Sequence, residues 1–177
     1  MKKSRINSTQ GFTLIEILIV IGIIAVLASI VIVAINPAKQ FAQARNTQRQ
    51  SNVETILNAI GQRIADNKGT FDGDFTVGAT PYHCPVLSSG NTYNITTTNT
   101  STVVAESFSP TVVLGTVGLG CLTPTYVSTF PEDPVTASGI NTGYTLGVDS
   151  INRITICAPA AANENSVPSP AAICLTR

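Results

Sequence analysis

The chain has 177 residues, enough for one domain with an appended segment and too few for two full-sized domains. Ten basic and ten acidic side chains cancel, and charged residues make up only 11% of the sequence, against roughly 25% in ordinary soluble domains. This composition excludes a disordered polyelectrolyte. Only three basic residues follow Arg63, so we predict no nucleic-acid partner for this chain alone.

The most conspicuous segment is an apolar run, residues 12–35, whose single charged residue is Glu16. A helix of this length would span about 36 Å, which is enough to cross a bilayer. Three basic residues precede the run and the next one after it is Lys39, so we predict a single pass with the N-terminus in the cytoplasm. A signal peptide cleaved near Val26-Leu27-Ala28 and a plain membrane anchor are the alternatives.

Glu16 suits neither alternative, because a carboxylate inside a membrane helix costs about 2.5–3.5 kcal/mol. No lysine or arginine lies between Arg5 and Lys39, so the apolar run offers no side-chain cation as a partner. Cleavage between Gly11 and Phe12 would create one, an α-amino group four residues before Glu16. This amine could belong to the same copy or to a neighbouring one.

From Gln10 to Ala28 the sequence combines a glycine, an aromatic residue, a glutamate and an uninterrupted hydrophobic run, beginning Gly11-Phe12-Thr13-Leu14-Ile15-Glu16. Together with its basic leader, this segment resembles the N-terminus of type IV pilins and type II secretion pseudopilins. The resemblance implies that a prepilin peptidase cleaves after Gly11 and methylates Phe12. It also implies that Glu16 meets the N-terminal amine of a neighbouring subunit when filaments assemble on an inner-membrane platform.

From this resemblance we expect a structural subunit and no enzyme or cofactor: the shaft subunit of a type IV pilus or, alternatively, the major pseudopilin of a type II secretion system. A helix that is apolar all round is stable only in lipid or among its own kind. The chain would therefore lie in the inner membrane first and in an extracellular or periplasmic helical homo-oligomer later. A membrane-anchored exported enzyme or binding domain is the alternative of another class, although the sequence lacks GxSxG, HExxH and GxxxxGK[ST] motifs.

Beyond the apolar run, Pro37 predicts a kink or a short unwound stretch near residues 33–37. Helical periodicity resumes over Ala38–Asn67 and should end at Lys68-Gly69, where a glycine can cap the helix. We expect the charged residues of this amphipathic helix to lie mostly off its apolar stripe: Lys39, Arg45, Arg49, Glu54, Arg63 and Asp66.

The remaining residues are rich in Gly, Pro, Ser and Thr and predict a small antiparallel sheet covered by the amphipathic helix, which makes the fold α+β. The clearest hairpin joins Tyr144–Val148 to Ile154–Ala158, two runs of alternating polarity. The predicted segments are a leader (1–11), a membrane and filament-core helix (12–35), its amphipathic continuation (36–67) and a β-rich head (68–177). Further strands are predicted at Tyr93–Thr97, Val103–Ala105, Thr111–Leu114 and Tyr126–Ser128.

Four cysteines, Cys84, Cys121, Cys157 and Cys174, lie on the predicted outer side, where disulfides persist. Three pairings are possible, and we favour Cys84–Cys121 with Cys157–Cys174 because sequential closure makes two independent loops. The second loop would pin the C-terminal tail. The intervals lack the close pairs typical of zinc sites, and His83 is expected to be a surface residue.

Metal binding is not expected, although Asp133 and Asp149 could hold a calcium ion with the help of backbone oxygens.

Overall fold

The computed structural model describes residues 11–98 and 115–177. Among these residues it confirms an α+β fold that begins with a long apolar helix, α1 (Leu14–Ala34), followed by a second helix, α2 (Pro37–Asp66). The chain divides into two compact units whose boundary lies within α2, between Gln40 and Phe41. We refer to residues 41–177 as the globular unit. Its strands are β1 (Gly73–Val77), β2 (Thr80–Cys84), β3 (Thr92–Thr96), β4 (Thr116–Gly118), β5 (Asn141–Val148), β6 (Ile154–Ala158) and β7 (Ile173–Thr176).

The two helices are separated by Ile35 and Asn36. The Asn36 side chain caps α2 by accepting a hydrogen bond from the Lys39 N–H at 3.3 Å. Pro37 then occupies the first helical position, where its missing N–H removes no intrahelical bond and its fixed φ favours the helix. The proline therefore begins α2 and does not interrupt it.

Helix α2 ends one residue before the predicted Asn67. Gly69 adopts a φ of +98°, in the left-handed region that favours glycine, and Lys68 also has a positive φ. The Gly69 N–H donates to the Ile64 carbonyl at 2.8 Å, which satisfies one of the free carbonyls at the helix end.

The globular unit contains a two-stranded sheet, β1–β2, and a five-stranded sheet in the order β4-β3-β5-β6-β7. The predicted hairpin is present as β5 and β6, with Thr145 opposite Cys157 and Val148 opposite Ile154. The larger sheet is mixed and not wholly antiparallel, because β4 pairs in parallel with β3. More than about a dozen residues separate these two strands in sequence, the length that a parallel pair requires.

The hydrophobic core of the globular unit is built from one face of α2 and the inward-facing side chains of the five-stranded sheet. Alternation along β5 and β6 directs every second side chain inward. The fully buried apolar residues include Val53, Ile56 and Ile60 of α2 together with Ile95, Val117, Leu119, Leu122, Leu146 and Ile156.

Two groups of strand predictions need comment. The predicted strand Tyr126–Ser128 is wrong: a short 3-10 helix, Gly120–Leu122, precedes a turn in which the N–H groups of Tyr126 and Val127 both donate to Leu122. Local turn bonds thus override the strand preference of aromatic and β-branched residues. The predicted strands Val103–Ala105 and Thr111–Leu114 lie outside the described residues.

Candidate functional site

The surface of α1 is apolar on all sides. The segment Leu14–Ile32 is long and apolar enough to cross a membrane, and none of its residues is buried in the part of the chain that the structure describes. Its exposed side chains are almost all large and aliphatic, and the last turn of the helix carries no basic residue. Such a helix requires lipid or other apolar helices around it.

A capping box begins α1. The Thr13 Oγ1 accepts a hydrogen bond from the Glu16 N–H at 3.3 Å, and the Glu16 Oε2 accepts from the Thr13 N–H and hydroxyl, each at 3.2 Å. The helix dipole also favours a carboxylate in this first turn. Sequence reasoning missed this role of Thr13, although the Thr-x-x-Glu spacing before an apolar run signals it.

This geometry gives Glu16 two possible tasks. One carboxylate oxygen, Oε2, holds the first helical turn, whereas Oε1 has no hydrogen-bond partner among residues 11–98 and 115–177. The side chain is exposed and lies one helical turn from Phe12, which is itself 83% exposed. An ammonium group from another molecule could therefore reach Oε1 without displacing Thr13.

A second polar cluster lies inside the globular unit, around Arg49 on α2. The Arg49 guanidinium donates to both carboxylate oxygens of Asp133, with its Nε at 2.6 Å, and through one terminal nitrogen to Glu164 at 2.6 Å. The side chains of Arg49 and Asp133 are almost completely buried. Arg45, one helical turn earlier, donates two hydrogen bonds of 2.6 and 2.8 Å to the same Glu164 carboxylate.

Both carboxyl groups of this cluster are held in the charged state. Hydrogen bonds from Arg45 and then Arg49 lower the pKa of Glu164 from 4.5 to about 2. Burial alone would raise the pKa of Asp133, but hydrogen bonds from Arg49 and from backbone N–H groups outweigh it and leave the pKa below its ordinary value.

Acid should therefore destabilise the globular unit. A carboxyl group whose pKa is lowered by folding contributes stability above its ordinary pKa, and that contribution disappears as the pH falls through the lowered value. We expect the free energy of unfolding to fall as the pH drops from 4.5 toward 2. Thermal unfolding by circular dichroism across this range measures the effect. Glu164→Gln should flatten the profile, whereas Asp149→Asn, in an exposed pair, should leave its shape nearly unchanged; equal profiles for Glu164→Gln and wild type would contradict the assignment.

The expectation that Arg49 and Arg63 lie off the apolar stripe is wrong, because both are buried. Arg63 donates to the carbonyls of Phe71 and Gly73, and its guanidinium lies 4.4 Å from the centroid of the Phe75 ring. A sequence signal exists: the two arginines continue the four-three spacing of the buried positions Val53, Ile56 and Ile60.

The four cysteines form two disulfides in the sequential order favoured above. Cys84 at the end of β2 is joined to Cys121 in the 3-10 helix, and Cys157 on β6 is joined to Cys174 on β7. Among the described residues there is no free cysteine. The first bond ties the small sheet to the main core, and the second ties the C-terminal strand to its neighbour.

The two candidate calcium ligands each have an arginine partner. Asp133 is bound to Arg49, and Asp149 accepts from the Arg153 Nε at 2.7 Å. Within the described ranges, no group of three or more His, Cys, Asp or Glu side chains could hold a metal ion. His83 is partly exposed on β2, where its Nδ1 lies 2.5 Å from the Asp74 carboxylate on the facing strand.

Comparison with known proteins bears on the N-terminal segment alone. Residues 6–32 match the family described as the prokaryotic N-terminal methylation motif. No curated protein and no solved structure matches the chain. The matched range contains Gly11, Phe12, Thr13 and Glu16 and covers nearly all of α1. Residues 6–32 thus carry the signature of type IV pilin and pseudopilin precursors, a structural family whose members are processed by a prepilin peptidase and anchored in the membrane before assembly.

Proposed function

We propose that the chain is the shaft subunit of a type IV pilus-like filament, cleaved after Gly11, methylated at Phe12 and polymerised through α1. The observation that carries this proposal is an all-round apolar helix that begins with a single carboxylate. After extraction from lipid, such a helix needs copies of itself as neighbours. Contacts that repeat with a rotation and rise that do not close then give an open filament.

Glu16 is the proposed assembly residue. Its Oε2 is engaged by Thr13 of the same chain, so Oε1 can accept a bond from the methylated α-amino group of Phe12 on a neighbouring copy. A charge-assisted pair of this kind is strong in an apolar layer where water is scarce. The pair would fix the axial offset between adjacent copies as well as neutralise both charges.

The topology we propose places the N-terminus in the cytoplasm and the globular unit outside the inner membrane. Two disulfides support this orientation, because such bonds persist in oxidising compartments and are rare in the cytosol. The sequence has a single histidine and few charged residues, which favours a structural role over an exported enzyme. Electron microscopy of sheared cells tests the choice within the family: long surface fibres indicate a pilus, and fibres confined to the periplasm indicate a secretion pseudopilus.

Gly11→Ala should block maturation. A methyl group at this position meets nothing among residues 11–98 and 115–177, so we expect any defect to arise at the peptidase and not in folding. We expect the cleavage rate to fall at least about tenfold relative to the wild type, so that the precursor accumulates. This corresponds to an increase of roughly 1.4 kcal/mol in the activation free energy of cleavage. Gel mobility and N-terminal sequencing measure it.

Gly22→Ala is the matched control, because an added methyl there also meets nothing and alanine is the better helix former. Normal cleavage of Gly11→Ala would refute the assigned site. Reduced cleavage of both variants would indicate a general defect in the membrane helix and would also contradict the assigned cleavage site.

A further inference from the structure

The two disulfides of the globular unit differ in their access to solvent. Cys84 and Cys121 are fully buried in the hydrophobic core. In contrast, Cys157 is half-buried and Cys174 is exposed. A reductant can therefore approach the second bond in the folded chain but not the first, because thiol exchange requires contact with a sulfur atom.

The exposed bond lies on the outer face of the five-stranded sheet. Cys157 and Cys174 are direct cross-strand partners of β6 and β7, and their side chains point away from the inward-facing Ile156. Cys157 also lines an open depression of about 290 Å³, whose other walls include Thr92, Thr145 and Thr155. The leaving sulfur of Cys157 therefore has open space beside it, and the lining of that space also includes the acidic side chain of Asp149.

The same bond closes the segment that contains Glu164. Residues 158–173 run from the end of β6 to the start of β7, and within them Glu164 accepts hydrogen bonds from Arg45 and Arg49. The strand β7 is at the edge of the sheet, and only β6 pairs with it among the described strands. Without the covalent bond, the segment is held by the ladder between β6 and β7, by the ion pairs of Glu164 and by the burial of Ala160 and Ala161.

We propose that Cys157–Cys174 is a thiol-exchange site for a dithiol reductant, and that its oxidation state controls how firmly Glu164 holds α2. A thiolate of the reductant attacks Sγ of Cys174, the S–S bond to Cys157 breaks, and the Cys157 thiolate takes up a proton. The second thiol of the reductant then displaces Cys174, which is protonated in turn. Two electrons and two protons pass to the chain, and the dithiol becomes a disulfide.

The consequence is expected on α2, where the partners of Glu164, Arg45 and Arg49, lie 119 and 115 residues earlier in the sequence. The Cys157–Cys174 bond closes a loop of 17 residues and so restricts the conformations in which this segment is detached from α2. Reduction removes the restriction. We therefore expect about a hundredfold increase in the population in which Glu164 is separated from Arg45 and Arg49. Arg45 then loses its carboxylate partner, and Arg49 keeps its bonds to Asp133 and Asn46. This inference goes beyond the filament proposal and does not depend on it.

Graded reduction of the full-length protein in detergent tests the exchange site. Dithiothreitol is the probe, and free thiols are trapped by alkylation. Mass spectrometry then measures the fraction of each cysteine that is alkylated. We expect Cys157 and Cys174 to be alkylated at least about a hundredfold faster than Cys84 and Cys121. Equal rates, or faster reaction of the buried pair, would overturn the assignment.

Amide hydrogen exchange tests the coupling. After selective reduction, protection of α2 over residues 45–53 should fall by at least about tenfold, and the Cys157→Ser/Cys174→Ser variant should match the reduced protein. In Glu164→Gln the protection should already be lowered, and reduction should change it less than about twofold further. Unchanged exchange on reduction, or an equal further loss in Glu164→Gln, would refute the coupling while leaving the filament proposal untouched.

Discussion

Glu16→Gln should prevent filament assembly while leaving membrane insertion and cleavage intact. The amide oxygen of glutamine can still accept hydrogen bonds from Thr13, so the capping box survives, but the negative charge is lost. A neighbouring α-ammonium group would then be buried without a counter-charge. Leaving one partner of a buried ion pair alone costs about 3–5 kcal/mol, which lowers the assembly constant on the order of a hundredfold or more.

Thr13→Val supplies the matched comparison, because it removes the hydroxyl of the capping box and keeps the charge. Loss of the Thr13 hydroxyl should destabilise the first turn of α1 by about 1 kcal/mol, and filaments should still form. Quantitative blotting of sheared fibres against total mature protein measures both variants. Abundant filaments from Glu16→Gln, or loss of filaments from Thr13→Val alone, would show that capping and not charge pairing is what assembly needs.

Arg49→Met should produce the largest loss of stability in the globular unit. The substitution leaves the fully buried Asp133 carboxylate without its cation and removes one of the two arginines that hold Glu164. We expect the free energy of unfolding to fall by about 3–5 kcal/mol, a large part of the 5–15 kcal/mol that folded domains have in total. Chemical denaturation of the full-length chain in detergent, followed by near-ultraviolet circular dichroism, measures it.

Arg153→Met is the control for Arg49→Met, because Arg153 forms an ion pair with Asp149 at the surface. Exposed pairs contribute about 1 kcal/mol or less. The double variant Arg49→Met/Asp133→Asn should recover part of the loss, since it no longer buries a lone charge. Equal effects of Arg49→Met and Arg153→Met would contradict a structural role for the buried cluster.

Sequence patterns predicted the features that depend on neighbours along the chain. The extent of α1, the helix break just before Pro37 and the cap at Gly69 all follow from local composition, periodicity and backbone preference. The hairpin of β5 and β6 follows from its alternation. The β1–β2 hairpin was missed, although the two residues between its strands include Gly78 with a positive φ, because Asp74 and Pro81 interrupt the expected pattern.

The buried cluster depends on contacts distant in sequence and could not be predicted in the same way. Arg49 is 84 residues from Asp133 and 115 residues from Glu164. Helical spacing can place Arg49 on the stripe of Val53 and Ile56, but nothing along the chain pairs it with a particular carboxylate. In contrast, the contact between Glu16 and Thr13 joins residues only three positions apart, so the Thr-x-x-Glu spacing in the sequence predicts it.

The most direct measurement of the central claim is the intact mass and N-terminal sequence of the protein recovered from sheared surface fibres. Retention of α1 in the polymer predicts a single product that begins at N-methylated Phe12 and includes the whole of Leu14–Ala34. A product that begins near Ser29, and so lacks most of this helix and Glu16, would contradict assembly through α1.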